Sequence, residues 1–274
     1  MVSINSEALR SLTIEINYLT PFVGKPAYYL YEPEPYRRTK PPPTEPRMLE
    51  IYDARPEIEQ FTLDENGFCF ASHPLSVLDY FSHAIVRQSY YSQCAELVSR
   101  VTGANYTVAF DHNIRDEGLV ARAGVDTPVR LAHNDFTQTS SEDCFQRVLP
   151  KTTESPPVNR YVLINVWRPL LGPVDDMPLA VCDAQSLESE DFVETDFIYP
   201  DRTSEIYSVK ANPNHQWYFL DKMNTDEVLL FKCFDSDPSA AARFTAHTSF
   251  RDPRSRPNTR PRRSIEVRTI ACFS

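Results

Sequence analysis

Residues 127–137 read Thr-Pro-Val-Arg-Leu-Ala-His-Asn-Asp-Phe-Thr, and 114 positions after His133 the stretch Phe244-Thr-Ala-His-Thr-Ser-Phe250 supplies a second histidine, His247. If residues 127–135 run on as a strand, His133 and Asp135 project from one face with their Cα atoms roughly 7 Å apart. An imidazole and a carboxylate can then converge on one ion. His247, in a second strand-like segment, is the natural third ligand. Two histidines and one carboxylate on one side of an ion form the facial set of non-haem Fe(II) oxygenases, which leaves positions open for a cosubstrate and O2. For ligands so far apart in sequence to meet, their strands must be neighbours in a rolled sheet.

Outward from these stretches the chain reads as a β protein. Short β-branched or aromatic segments at 105–112, 127–133, 160–167, 178–182, 205–209, 215–220, 227–234, 243–248 and 265–273 are divided by Pro, Asn and Asp turns, which points to a sandwich or jelly roll. Segments 11–19 and 27–32 also alternate like strands, before Pro33, Pro35 and Pro41-Pro42-Pro43 interrupt regular structure. A long helix is expected over 74–101, with Pro74 in its first turn and Gly103 as its C-terminal cap. A shorter one is expected over 141–149, with Ser140 and Asp143 as a capping pair. The expected organisation is an arm of N-terminal strands and prolines (1–70) packing on a core of residues 71–274.

Charge adds a second clue. The net charge of −10 disfavours nucleic acid or an anionic membrane as partner. Yet residues 243–268 hold eight Arg against Asp252 and Glu266. Within that island, Arg262-Arg263-Ser264 follows His247 by fifteen residues and opens the strand-like Ile265-Glu266-Val267-Arg268. An Arg fork beside a hydroxyl suits a dicarboxylate's distal carboxylate, and R-x-S at this distance from the distal His is how many 2-oxoglutarate oxygenases hold that group. Arg251, Arg254, Arg256, Arg260 and Arg263 read as solvated loop charges.

Other chemistries lack their parts. The six glycines are too scattered for G-x-G-x-x-G, a P-loop or G-x-S-x-G. The six cysteines lie 25 to 51 residues apart, with neither C-x-x-C nor zinc-knuckle spacing, and read as reduced, buried thiols. Without a signal-like or membrane-spanning apolar run, a cytosolic protein is expected.

From about residue 105 onward, the order of motifs resembles the fungal AsaB-type hydroxylase/desaturase family of Fe(II)/2-oxoglutarate oxygenases, whose relatives include a cephalosporin 7-methoxylation component. The carriers are His133-Asn134-Asp135-Phe136-Thr137, Asn165-Val166-Trp167-Arg168-Pro169, Pro178-Leu179-Ala180-Val181-Cys182-Asp183 and Asn212-Pro213-Asn214-His215-Gln216-Trp217-Tyr218. They continue with Asp226-Glu227-Val228-Leu229-Leu230-Phe231-Lys232, Asp235-Ser236-Asp237, His247-Thr248-Ser249-Phe250 and Arg262-Arg263-Ser264-Ile265-Glu266-Val267-Arg268. The resemblance implies a mainly β protein with flanking helices around a double-stranded β-helix (jelly roll, cupin-like) core. It further implies His133, Asp135 and His247 on Fe(II), and Arg262 with Ser264 on 2-oxoglutarate as cosubstrate, with O2 as oxidant. The substrate would be a small secondary-metabolite intermediate oxidised at a C–H bond by hydroxylation, desaturation or oxidative cyclisation. Arg263 departs from the family's acidic residue, and the Arg-rich loop 251–261 is unusual. The basic edge favours a carboxylate-bearing substrate such as an amino acid.

Remaining residues are assigned by side-chain chemistry. Asn165 shares a strand face with Trp167 and is expected to hydrogen-bond the cosubstrate or the groups behind the metal, while Arg168 points the other way, toward a carboxylate such as Asp183. Arg115, Arg122, His215 and Trp217 are candidates for lining the substrate pocket, although His215 equally suits a structural hydrogen bond. His73 and His83 read as capping or surface residues. The Tyr28/Tyr29/Tyr31 and Tyr90/Tyr91 clusters read as packing and interface, so a homodimer is carried as an expectation. Three rival classes stand beside the oxygenase: a cupin-like metal-dependent isomerase or hydrolase needing no 2-oxoglutarate, a non-catalytic binding scaffold, and a dimeric structural subunit whose role is its interface.

Overall fold

The computed structural model describes residues 10–30, 41–74, 79–116, 118, 125–126, 128–149 and 157–274. Its strands begin with β1 (Ser11–Leu19), β2 (Ala27–Tyr29), β3 (Thr44–Asp53), β4 (Phe68–Ser72), β5 (Tyr106–Asp116), β6 (Val125–Asp126), β7 (His133–Asn134) and β8 (Arg160–Pro169). They continue with β9 (Leu179–Cys182), β10 (Phe192–Ile198), β11 (Thr203–Val209), β12 (Trp217–Phe219), β13 (Glu227–Asp235), β14 (His247–Ser249) and β15 (Arg263–Phe273). The helices are α1 (His83–Ile85), α2 (Tyr91–Thr102) and α3 (Gln138–Val148).

Two sheets face each other. One runs β4-β13-β8-β15-β5-β6 and the other β1-β3-β12-β9-β14-β7-β11-β10-β2. Their central strands interleave early and late parts of the chain: β5 pairs with β15, β15 with β8 and β8 with β13, while β7 pairs with β14, β14 with β9 and β9 with β12. This interleaving is the winding of a double-stranded β-helix. It brings His133 and His247 directly opposite each other on β7 and β14.

Side-chain alternation sorts three apolar clusters. Trp167, Leu179, Val181, Tyr218, Leu229 and Phe231 fill the space between the sheets. On the far face of the six-stranded sheet, Val162, Ile164, Val166 and Val267 meet Cys94, Leu97 and Val98 of α2. Each such aliphatic side chain, fully buried, contributes about 1.5–3 kcal/mol. On the far face of the nine-stranded sheet, Ile14, Ile16, Ile51, Trp217 and Phe219 form the third cluster. It is closed because β1 is bridged back to Leu131 and Lys210, so the sheet bends until its first strand meets its own middle. All six cysteines are free and buried.

The helices depart from the spacing that predicts them. Residues 75–78 lie outside the described part of the expected 74–101 helix, and a turn over 79–82, in which Asp79 accepts from the Phe81 and Ser82 amides, delays the helix to His83. A π turn over Val86–Tyr90 joins α1 to α2, which ends at Gly103 with φ +70° as expected. α3 starts at Gln138 because Thr137 and Ser140 form a reciprocal capping box, which moves its start ahead of the expected 141. The expected strand 127–133 shrinks to β7, and β3, β4 and β10 lie outside the expected set.

Candidate metal centre

β7 ends at Asn134, whose side-chain amide donates to the carbonyls of Phe136 (2.6 Å) and Cys233 (2.9 Å). This pins the chain to β13 and leaves His133 and Asp135 turned to the space between the sheets. His133 Nε2 lies 3.4 Å and His247 Nε2 3.6 Å from the same oxygen, Asp135 Oδ1. Ligand atoms of the three residues all lie within 4.8 Å of one another, and all three side chains are at least nine-tenths buried.

The protonation states suit a cation. A carbonyl can only accept, so the 2.7 Å contact between His133 Nδ1 and Leu131 O puts a proton on Nδ1 and leaves Nε2 as the nitrogen aimed at Asp135 and His247. Burial pushes His247 down to about 3, with the neighbouring His133 acting in the same direction, so the imidazole is neutral. Burial alone would raise the Asp135 carboxyl, but the Arg268 guanidinium and the imidazoles outweigh it and hold the group well below the usual carboxylate range. Two imidazole nitrogens and one ionised oxygen on one side of a point fit a divalent transition metal.

The second oxygen, Asp135 Oδ2, accepts from Arg268 Nε (3.0 Å), Arg268 Nη2 (2.9 Å) and Asn165 Nδ2 (2.9 Å). Asn165 thus turns its side-chain amide to Asp135, as expected of a hydrogen bond behind the candidate ligands. Arg268 as a partner of Asp135, and Glu266 altogether, escape the sequence reading. Both are signalled there, because in the alternating run Arg262, Ser264, Glu266, Arg268 the charged positions share one face while Ile265 and Val267 fill the other. Burial and the nearby Asp135 charge raise the Glu266 carboxyl.

Arg262 is 3% exposed; its Nη1 donates to Met177 O (2.6 Å) and its guanidinium lies 5.5 Å from the Trp167 ring centre. Ser264 Oγ is buried and has no protein hydrogen-bond partner among the described residues. A buried cation next to an unspent hydroxyl fits the distal carboxylate of a keto-diacid. Arg115 stands opposite Ser264 across the β5–β15 pair and is partly buried. Arg122 lies outside the described residues.

Several expectations need correction. Trp217 pairs with Cys182, whose neighbour Val181 pairs with His247, so Trp217 sits on the sheet face opposite His133 and His247. His215 joins it there, held by Asp191 Oδ2 (3.0 Å) and the Tyr18 hydroxyl (3.1 Å). Neither lines the space beside His133: strand alternation turns Trp217 into the third cluster, and His215 takes the structural hydrogen bonds of its other expected role. Arg168 contacts His73 Nδ1 (2.7 Å) and lies over the Tyr90 ring, while Asp183 caps its own turn and accepts from Asn66, so the expected pair does not form. His83 is no plain surface residue, since its Nδ1 lies 2.7 Å from His112 Nε2. The arginine loop is pinned by Arg251 to Asp176, Arg254 to Asp221 and Asp252, and Arg260 to Gly172 O, not simply solvated. Arg263 turns away from the interior to Asp116 (2.5 Å) and Phe81. Tyr90 and Tyr91 are spent inside the chain, the first on Arg168 and the second on His112.

A family model described as "Oxidoreductase/YMDC permease-like domain" matches residues 16–272. The Fe(II)/2-oxoglutarate-dependent dioxygenase nvfI of Aspergillus novofumigatus is 28% identical over 266 residues, covering 93% of this chain and 95% of that protein. The hydroxylase/desaturase efuI of Hormonema carpetanum is 31% identical over 244 residues, covering 80% and 81%. The solved structure of the iron and alpha-ketoglutarate-dependent endoperoxidase NvfI superimposes with a TM-score of 0.86 at 26% identity, over 96% of this chain and 98% of that one.

Proposed function

Because this chain belongs to the AsaB-type hydroxylase/desaturase family of Fe(II)/2-oxoglutarate-dependent oxygenases, we propose that His133, Asp135 and His247 hold its iron and that Arg262 and Ser264 hold its 2-oxoglutarate. The chain is a non-haem dioxygenase that requires Fe(II), 2-oxoglutarate and O2 and acts on a small molecule. The convergence of two imidazoles and one ionised carboxylate within 4.8 Å carries the assignment of ligands.

Bound iron and its keto-acid supply O2 activation and the oxidant for a substrate C–H bond, with succinate and CO2 as the spent cosubstrate. The protein's side chains do the rest. The Asp135 carboxylate and the two imidazoles bind, Arg262 orients the far end of the cosubstrate, and Trp167 beside it and Phe231, 4.5 Å from the His247 ring centre, keep water out. Whether hydroxylation, desaturation or cyclisation follows is set by how the substrate is placed. Arg115, on the inner face next to this set, supports a carboxylate-bearing secondary-metabolite intermediate. The net charge of −10 and the six free cysteines support a cytosolic enzyme with no nucleic-acid partner. The homodimer stays part of the proposal. The oxygenase relatives count against an isomerase, a hydrolase or an inert scaffold.

The test is succinate formation from 2-oxoglutarate in air with Fe(II) and ascorbate. The protein is expected to form succinate even without its substrate, slowly, and His133→Ala to form none. Equal succinate from both would overturn the ligand assignment.

A further inference from the structure

Arg268 is the most heavily engaged charge beside the metal ligands. Besides its two bonds to Asp135 Oδ2, its Nη1 donates to Asp111 Oδ2 at 2.9 Å, and Glu266 Oε1 lies 3.7 Å from its Nη2. Turning over the Asn113 amide, which here faces the guanidinium with its nitrogen, lets its oxygen accept from Nη1 at 3.2 Å and Nη2 at 3.0 Å. A fork tied to this many partners cannot turn toward a cosubstrate, and its planar geometry fixes the carboxylate it grips. Of the two Asp135 oxygens, Oδ2 carries three N–H donors while Oδ1 faces His133 and His247.

We propose that Arg268, seconded by Asn165, is the positioning residue of the metal centre: by occupying Oδ2 it locks the Asp135 side chain so that Oδ1 alone is offered to the ion. The inference rests on the reading of His133, Asp135 and His247 as ligands. Without the clamp the carboxylate can swing about its terminal torsion, which is broad, and present either oxygen or both. The clamp also keeps the buried Asp135 charge compensated before metal arrives. What matters is the fork and not the charge alone, so lysine does not substitute for it.

The experiment measures Mn(II) affinity by depletion of the free-ion electron paramagnetic resonance signal, together with the visible absorption of Co(II)-loaded protein. Arg268→Lys keeps the charge and loses the fork. Partners that orient metal ligands typically account for 10–100-fold in affinity, and a loss of about that size, with a changed Co(II) spectrum, is expected. Mn(II) binding within about threefold of the unsubstituted protein and an unchanged Co(II) spectrum would overturn the clamp, since a purely structural arginine would move thermal stability and leave the spectrum alone. If Arg268→Lys does not fold, Asn165→Ala removes one donor from Oδ2 and should weaken Mn(II) several-fold; an unaltered affinity and spectrum there would equally overturn it. His133→Ala separates the two claims. Mn(II) binding that survives this substitution sinks the ligand assignment, whereas binding lost in His133→Ala but untouched in Arg268→Lys sinks only the clamp.

Discussion

Arg262→Gln isolates the charge that holds the cosubstrate. The side chain is 3% exposed and its guanidinium is fixed by Met177 O at 2.6 Å and by the Trp167 ring, so the group arrives at the ligand already ordered. Glutamine keeps the apolar stem and a donor, and loses the fork and the charge. Removing one partner of a buried, hydrogen-bonded charge pair costs about 2–5 kcal/mol. Taking about 2–4 kcal/mol here, because glutamine still offers a donor, the 2-oxoglutarate Kd should rise roughly 30- to 1000-fold at 1.4 kcal/mol per decade. Losing the Met177 contact costs a further ~1 kcal/mol of stability, a Tm decrease of about 2–4 °C in a chain of this size. Fe(II) binding alone should be unaffected, since the guanidinium is held at Met177 O and the Trp167 ring. The assay is anaerobic titration of the Fe(II)-loaded variant with 2-oxoglutarate, followed by visible absorption. An unchanged Kd accompanied by the lower Tm would refute the reasoning, make Arg262 a strut of the bend at Met177 ahead of β9, and move the anchor to Arg115.

Gly67 has φ +79°, and a Cβ there would come within 2.1 Å of Thr245 Oγ1, which itself donates to Gly67 O. Gly67→Ala should therefore lose about 2–5 kcal/mol from left-handed strain and overpacking together, read by chemical denaturation; a loss under about 1 kcal/mol would contradict this. Burial and the adjacent His83 push His112 from its ordinary value near 6.5 down to about 4. A depressed folded-state value means that the neutral ring stabilises the fold fully above pH 6.5 and loses that contribution as pH falls toward 4. The stability difference between the unsubstituted protein and His112→Gln should accordingly narrow from about pH 7.5 to about pH 5, with Arg87, Asp111 and Tyr91 as the other groups facing the ring. A pH-independent difference would count against it.

The winding of the sheets is legible in the sequence because it follows from period-two patterns and turn residues: β8, β13 and β15 coincide with segments that alternate between two buried faces. The triad is legible for a simpler reason, since His-x-Asp needs only alternation to aim both groups one way. What escapes depends on long-range packing. β3 begins directly after the proline run and is half exposed, so no apolar run announces it. The His215 partner, Tyr18, lies 197 residues away on a strand that returns over the outer face, and no local pattern encodes that closure. The arginine island misleads in the same way: composition counts its charges, but only the fold reveals that Asp176, Asp221 and Asp116 stand ready for Arg251, Arg254 and Arg263.

Anaerobic addition of Fe(II) and then 2-oxoglutarate, monitored in the visible, goes most directly to the claim that two imidazoles and one aspartate share an ion beside Arg262. The account predicts stoichiometric iron and a weak visible band on adding the keto-acid, with both lost in His247→Ala. Stoichiometric iron and an undiminished band in His247→Ala would contradict it.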